Sequence, residues 1–190
     1  MRKTLLLFTT MALTLLLAAG MAWAALPAPT VLSDRTVPLN GTSGVDPNAN
    51  ITATFSEAMS TKSLGICNHC TSTSSSKTFY LLKGNFTAMS PTKNPPRFCK
   101  NIATGAILAP CPAANIVPAT VSYSAGTNTA TLNPNSTLAL NTKYTVVVEG
   151  SADGDFVAVK DTGGTPLLTP LTGDFIFHFT TWTSAPLPTP

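Results

Sequence analysis

The chain is 190 residues long, with 11 Lys and Arg against 8 Asp and Glu, four cysteines and 44% hydrophobic residues. Two of the bases, Arg2 and Lys3, stand at the very start, and without them nine bases face eight acids. That balance excludes general electrostatic attraction to nucleic acid, and the length suits one domain rather than two.

The chain opens on the basic Met1-Arg2-Lys3, runs through an apolar stretch from Leu5 to Ala19 and reaches the small-residue pattern Ala22-Trp23-Ala24. This order is that of a secretory signal peptide, an N-terminal helix over residues 1–24 cleaved after Ala24. The run is short for a bilayer core. No cysteine follows the cut to carry a lipid, and no second apolar stretch offers an anchor near the C-terminus. The chain is therefore expected outside the cytoplasm, secreted or in the cell envelope, with no membrane anchor after cleavage.

Beyond residue 28 the apolar residues alternate at period two in short runs bounded by turn residues, which predicts strands. Thr30 to Ser33 is the first. Ile51, Ala53 and Phe55 then share a face opposite Thr52 and Thr54, and Ser60 to Leu64 reads as one helical turn capped by Ser60. Thr78 to Leu82 follows as a strand. Val117 to Tyr123, with Ala119, Val121 and Tyr123 inward, forms a hairpin with Thr129 to Leu132 across the turn residues 124–128. Tyr144, Val146 and Val148 make another inward row. Phe175, Phe177 and Phe179 close the domain, with Ile176, His178 and Thr180 on the opposite face and His178 toward solvent. About seven short antiparallel strands predict an all-β domain of two packed sheets, an immunoglobulin-like sandwich, with a barrel as the rival architecture. Residues 183–190 are a Pro-rich tail.

Several motifs invite chemistry. Cys67-Asn68-His69-Cys70 has the spacing of a metal-binding or redox pair. Thr71 to Ser76, however, is a poor helix for a thioredoxin-like site, and Cys99 and Cys111 lack the tight second spacing of a zinc ribbon. In an exported chain the four cysteines Cys67, Cys70, Cys99 and Cys111 are most simply disulfide partners. Asp153, Asp155, Asp161 and Asp174 form an acidic cluster, but not at the alternating positions of one calcium loop, so they read as turn formers. Gly163-Gly164 lacks the following helix of a phosphate cradle. Tyr144, six residues after Leu138, reads as a tyrosine corner whose hydroxyl bonds an upstream backbone group. Neither His69 nor His178 has partners for a triad, and no nucleophile elbow, zinc-helix motif or phosphate-binding loop occurs. No enzyme, cofactor or metal is expected. Between Glu57 and Glu149 the only charges are Lys62, Lys77, Lys83, Lys93, Arg97, Lys100 and Lys143. They read as scattered solvated charge, or alternatively as a basic face for an anionic polymer.

The run Asp46-Pro47-Asn48-Ala49-Asn50-Ile51-Thr52-Ala53-Thr54-Phe55-Ser56-Glu57-Ala58-Met59-Ser60 resembles the opening of the SbsA-type bacterial Ig-like domain, where the usual form is x-V-x-F-S-E-P-M-D. Ala58 replaces its proline and Ser60 its aspartate. The resemblance continues through Val121-Ser122-Tyr123, Thr129 to Pro134, Leu138 to Val148 and Val159 to Leu167, and closes on Phe177 to Thr181. It implies one Ig-like domain over residues 28–182, of a type common in secreted and surface proteins as a spacer, adhesion or carbohydrate-proximal module without conserved chemistry. Residues 65–77 and 89–116 depart from the pattern as insertions, and they hold all four cysteines. Pairing of Cys67 with Cys70 and Cys99 with Cys111 closes each bond within its own insertion, the second contributing roughly 3 kcal/mol through loop closure; crossed pairings remain open. The expected role is an exported, non-catalytic module, structural, adhesive or ligand-binding, at the cell surface or in the medium. Its partner is unknown: an envelope polymer, a glycan or another surface protein. The alternative is a secreted metal-binding or redox protein using Cys67 and Cys70.

Overall fold

A computed structural model describes residues 27–65, 78–89, 98–101, 107–108, 115–150, 158–168 and 174–184. In chain order its strands are β1 (Thr42–Val45), β2 (Ile51–Thr54), β3 (Phe79–Lys83), β4 (Phe86–Met89), β5 (Phe98–Asn101) and β6 (Ile107–Leu108). They continue with β7 (Ile116–Val117), β8 (Ala119–Ser124), β9 (Thr129–Pro134), β10 (Lys143–Glu149) and β11 (Asp174–Thr181).

Eight of these strands form two sheets. One sheet has the order β1-β11-β10-β3-β7 and the other β2-β9-β8. All their pairings are antiparallel except that of β1 with β11. The chain passes from the first sheet to the second at Pro118, between β7 and β8. The inner faces meet in one core, to which β2 gives Ile51 and Ala53, β9 gives Ala130 and Leu132, β10 gives Tyr144, Val146 and Val148, and β11 gives Phe177 and Phe179. The period-two rows read from the sequence are the rows that face inward. The fold is thus an Ig-like β-sandwich.

One expected element takes another form. Thr30 to Ser33 is no strand: Val31 makes a single bridge to Phe55, and a 3-10 turn follows at Ser33–Arg35. That turn buries no side chain, so nothing there demands an inward face. Ser60 to Leu64 forms the single turn expected there, the Ser60 carbonyl accepting the N–H groups of Ser63 and Leu64.

A third sheet, in the order β4-β5-β6, was not foreseen. Two of its strands, β5 and β6, lie inside the stretch 89–116 that was expected to be an insertion, so this stretch carries sheet structure of its own. The third sheet also explains why β10 is buried at Thr145 and Val147 as well as on its inward face. A strand covered on both sides loses its alternation and reads as a continuous apolar run.

Candidate functional site

Among the described residues, Phe86 fastens the third sheet to the outer face of the five-stranded sheet. Its ring enters a second apolar cluster with Tyr80, Leu82 and Val147, flanked by Ile116 and Ile176. Its backbone is held as well. The Phe86 N–H donates to Thr145 Oγ1 at 2.9 Å, and the same hydroxyl donates to the Gly84 carbonyl at 2.8 Å. The Phe86 carbonyl lies 2.9 Å from His178 Nε2. Since a carbonyl only accepts, Nε2 carries the proton.

His178 is therefore not the solvent-facing residue that the alternation of β11 suggested. It is half-buried beneath the third sheet, and its backbone N–H donates to Asn40 Oδ1 at 2.9 Å. Alternation separates two faces of a strand but does not say which of them another layer covers. The signal that was available is the apolar character of Val147 and Ile176 on the nominally outer face. Gly84 makes the approach possible: at φ 126° it adopts a conformation that L side chains rarely take, and a Cβ there would stand 2.5 Å from the Phe86 ring.

Of the four cysteines, Cys99 belongs to this layer. Cys99 sits in β5, the central strand of the third sheet, in register between Ala88 of β4 and Leu108 of β6. Cys67, Cys70, Cys111 and His69 lie outside the described residues, so the expected disulfides fall there too. Thr145, His178 and Phe86 thus fix the layer that carries Cys99. None of the three stood out as a positioning residue in the sequence.

The acidic residues serve turns and strand ends. Asp161 accepts the Thr165 N–H on Oδ1 at 2.6 Å and the Gly164 N–H on its carbonyl at 3.2 Å, with Gly164 at φ 91°. Asp174 stands opposite Glu149 in the register of β10 and β11, and its Oδ1 accepts the Gly150 N–H at 3.3 Å. Asp153 and Asp155 lie outside the described residues. Among the described residues no group of three or more His, Cys, Asp and Glu is arranged to hold a metal ion.

The basic run does not gather on one face where it is described. Lys83 and Lys143 are exposed at the end of the sandwich where the Lys143 carbonyl accepts the Gly84 N–H at 2.8 Å. Lys62 is exposed at the opposite end, next to the Ser60 turn that is tied to Lys160. The tyrosine corner is present: the Ala139 N–H donates to the Tyr144 hydroxyl at 2.9 Å, and the Tyr144 ring stacks on Phe179 with centroids 5.4 Å apart.

Comparison with known proteins adds the following. The family model of the bacterial Ig-like domain matches residues 27–94 and 97–181. Among solved structures the chain is similar to PcoC, a methionine-rich copper resistance protein from Escherichia coli, with 15% identity and a TM-score of 0.44, over 82% of this chain and 99% of that one. It is also similar to the S-layer protein SbsC, with 19% identity and a TM-score of 0.42, over 90% of this chain and 16% of that one. The N-terminal part of SbsC gives 20% identity and a TM-score of 0.41, over 90% of this chain and 27% of that one. No curated protein matches.

Proposed function

The chain belongs to the bacterial Ig-like domain family, and from that premise we propose that it is an exported, non-catalytic module that binds or bridges a partner at the cell surface or in the medium. The two sheets act as scaffold. Specificity resides in the cysteine-bearing stretches 65–77 and 89–116. One observation carries this reading: the second stretch contributes to a separate sheet, held on the sandwich by the ring and both backbone groups of Phe86. A surface loop without a task needs no such fixing, whereas a binding element gains affinity from being held in one conformation.

Oxidised cysteines complete the proposal, with Cys67 bonded to Cys70 and Cys99 to Cys111. Intact-mass analysis and thiol titration of the chain recovered from the producing cells test it. The expected result is an N-terminus at Ala25, no free thiol and no bound metal. Free thiols together with a stoichiometric metal would instead favour the secreted metal-binding or redox protein.

A further inference from the structure

Sandwich edges are templates on which another strand can pair, and natural proteins blunt or cover them. Three of the four edges here are managed in this way. β1 is four residues long, with an irregular register between Thr42 and Val45 and a positive φ of 69° at Gly44. β7 is two residues long and stops at Pro118. The outer side of β2 is covered by the preceding segment, through the bridges of Val31 with Phe55 and of Val37 with Thr52.

The fourth edge is β8, and among the described residues it is uncovered. It pairs with β9 through six consecutive residues without a bulge, and Ala119-Thr120-Val121-Ser122-Tyr123-Ser124 contains neither charge nor proline. Its hydrogen-bonding direction follows from its neighbours. The Asn135 N–H donates to the Pro118 carbonyl at 2.9 Å, so the alternation of an antiparallel ladder turns the backbone groups of Thr120, Ser122 and Ser124 toward β9. The Phe55 N–H, donating to the Asn128 carbonyl at 2.9 Å, fixes the other side of β9 consistently. Ala119, Val121 and Tyr123 therefore direct both N–H and C=O away from the sheet. Among the described residues nothing pairs with them.

We infer that β8 is a self-association edge, on which two copies of this chain pair β8 with β8 antiparallel across a two-fold axis. The strand is self-complementary. With Val121 opposite Val121, Ala119 of each copy faces Tyr123 of the other, and every outward donor meets an outward acceptor. Thr120 then lies opposite Ser122 on the exposed face, a pair of β-compatible side chains. Because the strand has no charge, the two-fold brings no like charges together. Each Tyr123 is already anchored within its own copy, since its hydroxyl accepts the Met59 N–H at 2.8 Å. The result is an isologous dimer with a continuous sheet β2-β9-β8 joined to its symmetry mate. A second copy suits this edge better than a foreign strand, because the edge is complementary to itself in both hydrogen bonding and charge.

Sedimentation equilibrium of the full exported chain over a wide concentration range tests the inference. The wild type is expected to move from monomer to dimer mass as concentration rises. The double variant Thr120→Lys, Ser122→Lys keeps the monomer fold, since both side chains are exposed, but sets lysine against lysine across the axis, so the dimer is lost. Val121→Pro removes an outward donor while leaving the β9 ladder intact, and it should weaken association by at least about tenfold, the loss of roughly one hydrogen-bonded pair. Thermal melts confirm that each variant is folded. A wild type that stays monomeric at every concentration, or a dimer that survives in both variants, overturns the proposal.

Discussion

Tyr144 packs its ring against Phe179 and keeps its hydroxyl on the Ala139 N–H. Burial raises its pKa above the ordinary phenol value of 10.0, because the ionised ring-oxygen would lose its hydration, while the Ala139 hydrogen bond pulls weakly the other way. The unfolded chain therefore loses this proton first as pH rises. Its stabilising contribution is complete below pH 10 and declines from there through the folded-state pKa. Tyr144→Phe should flatten that alkaline decline and cost about 1 kcal/mol at neutral pH for the lost hydrogen bond. Urea melts of both proteins across pH 8 to 12 (on the order of the phenol range) check this. The corner was legible because a tyrosine opening a strand shortly after an apolar turn residue has a defined geometric use. Gly84 was not legible, since its necessity comes from Phe86 lying over it. Gly84→Ala forces an unfavourable φ and a contact with that ring, and should lower stability by about 1–3 kcal/mol by chemical denaturation.

The strands themselves divide by what the sequence could carry. Rows such as Ile51-Ala53 and Val146-Val148 were readable because each strand buries one face in the common core. The third sheet was not, because its strands are only two to four residues long and their pairings join residues such as Ala88 and Cys99 across a Pro-rich segment longer than a tight hairpin turn. His178 was misplaced for the same reason: the layer covering its face was unseen. The clamp on Phe86 yields a prediction at this level. Thr145→Val removes the acceptor for the Phe86 N–H and the donor to Gly84, and His178→Ala removes the donor to the Phe86 carbonyl. Each should cost about 1–3 kcal/mol. The loss should be local, with faster amide hydrogen exchange in β4 and β5 and unchanged protection in β9 and the inner rows of β10. Uniform acceleration across both sandwich sheets would show instead that the third sheet and the core open together.

At the scale of the molecule, one core joins the two sheets of the sandwich and a smaller apolar cluster attaches the third. This division of labour underlies the proposed function, in which the sandwich sets the position and the cysteine-bearing layer makes the contact. The family was readable because many weak motifs fall in order along the chain from Asp46 to Thr181. The layer was expected only as an insertion at 89–116, yet the family model runs through that stretch apart from residues 95 and 96. Its chemistry depends on side chains that only tertiary pairing brings together.

The most direct test is a binding comparison on immobilised cell-wall polymer and an array of surface glycans. It sets the full chain beside Phe86→Ala, which removes the ring that seats the layer, and a variant lacking residues 90–114, with circular dichroism confirming that the sandwich persists in each. The account predicts that the full chain retains a ligand, that Phe86→Ala weakens retention, and that the deletion abolishes it. Equal retention by all three proteins would contradict it.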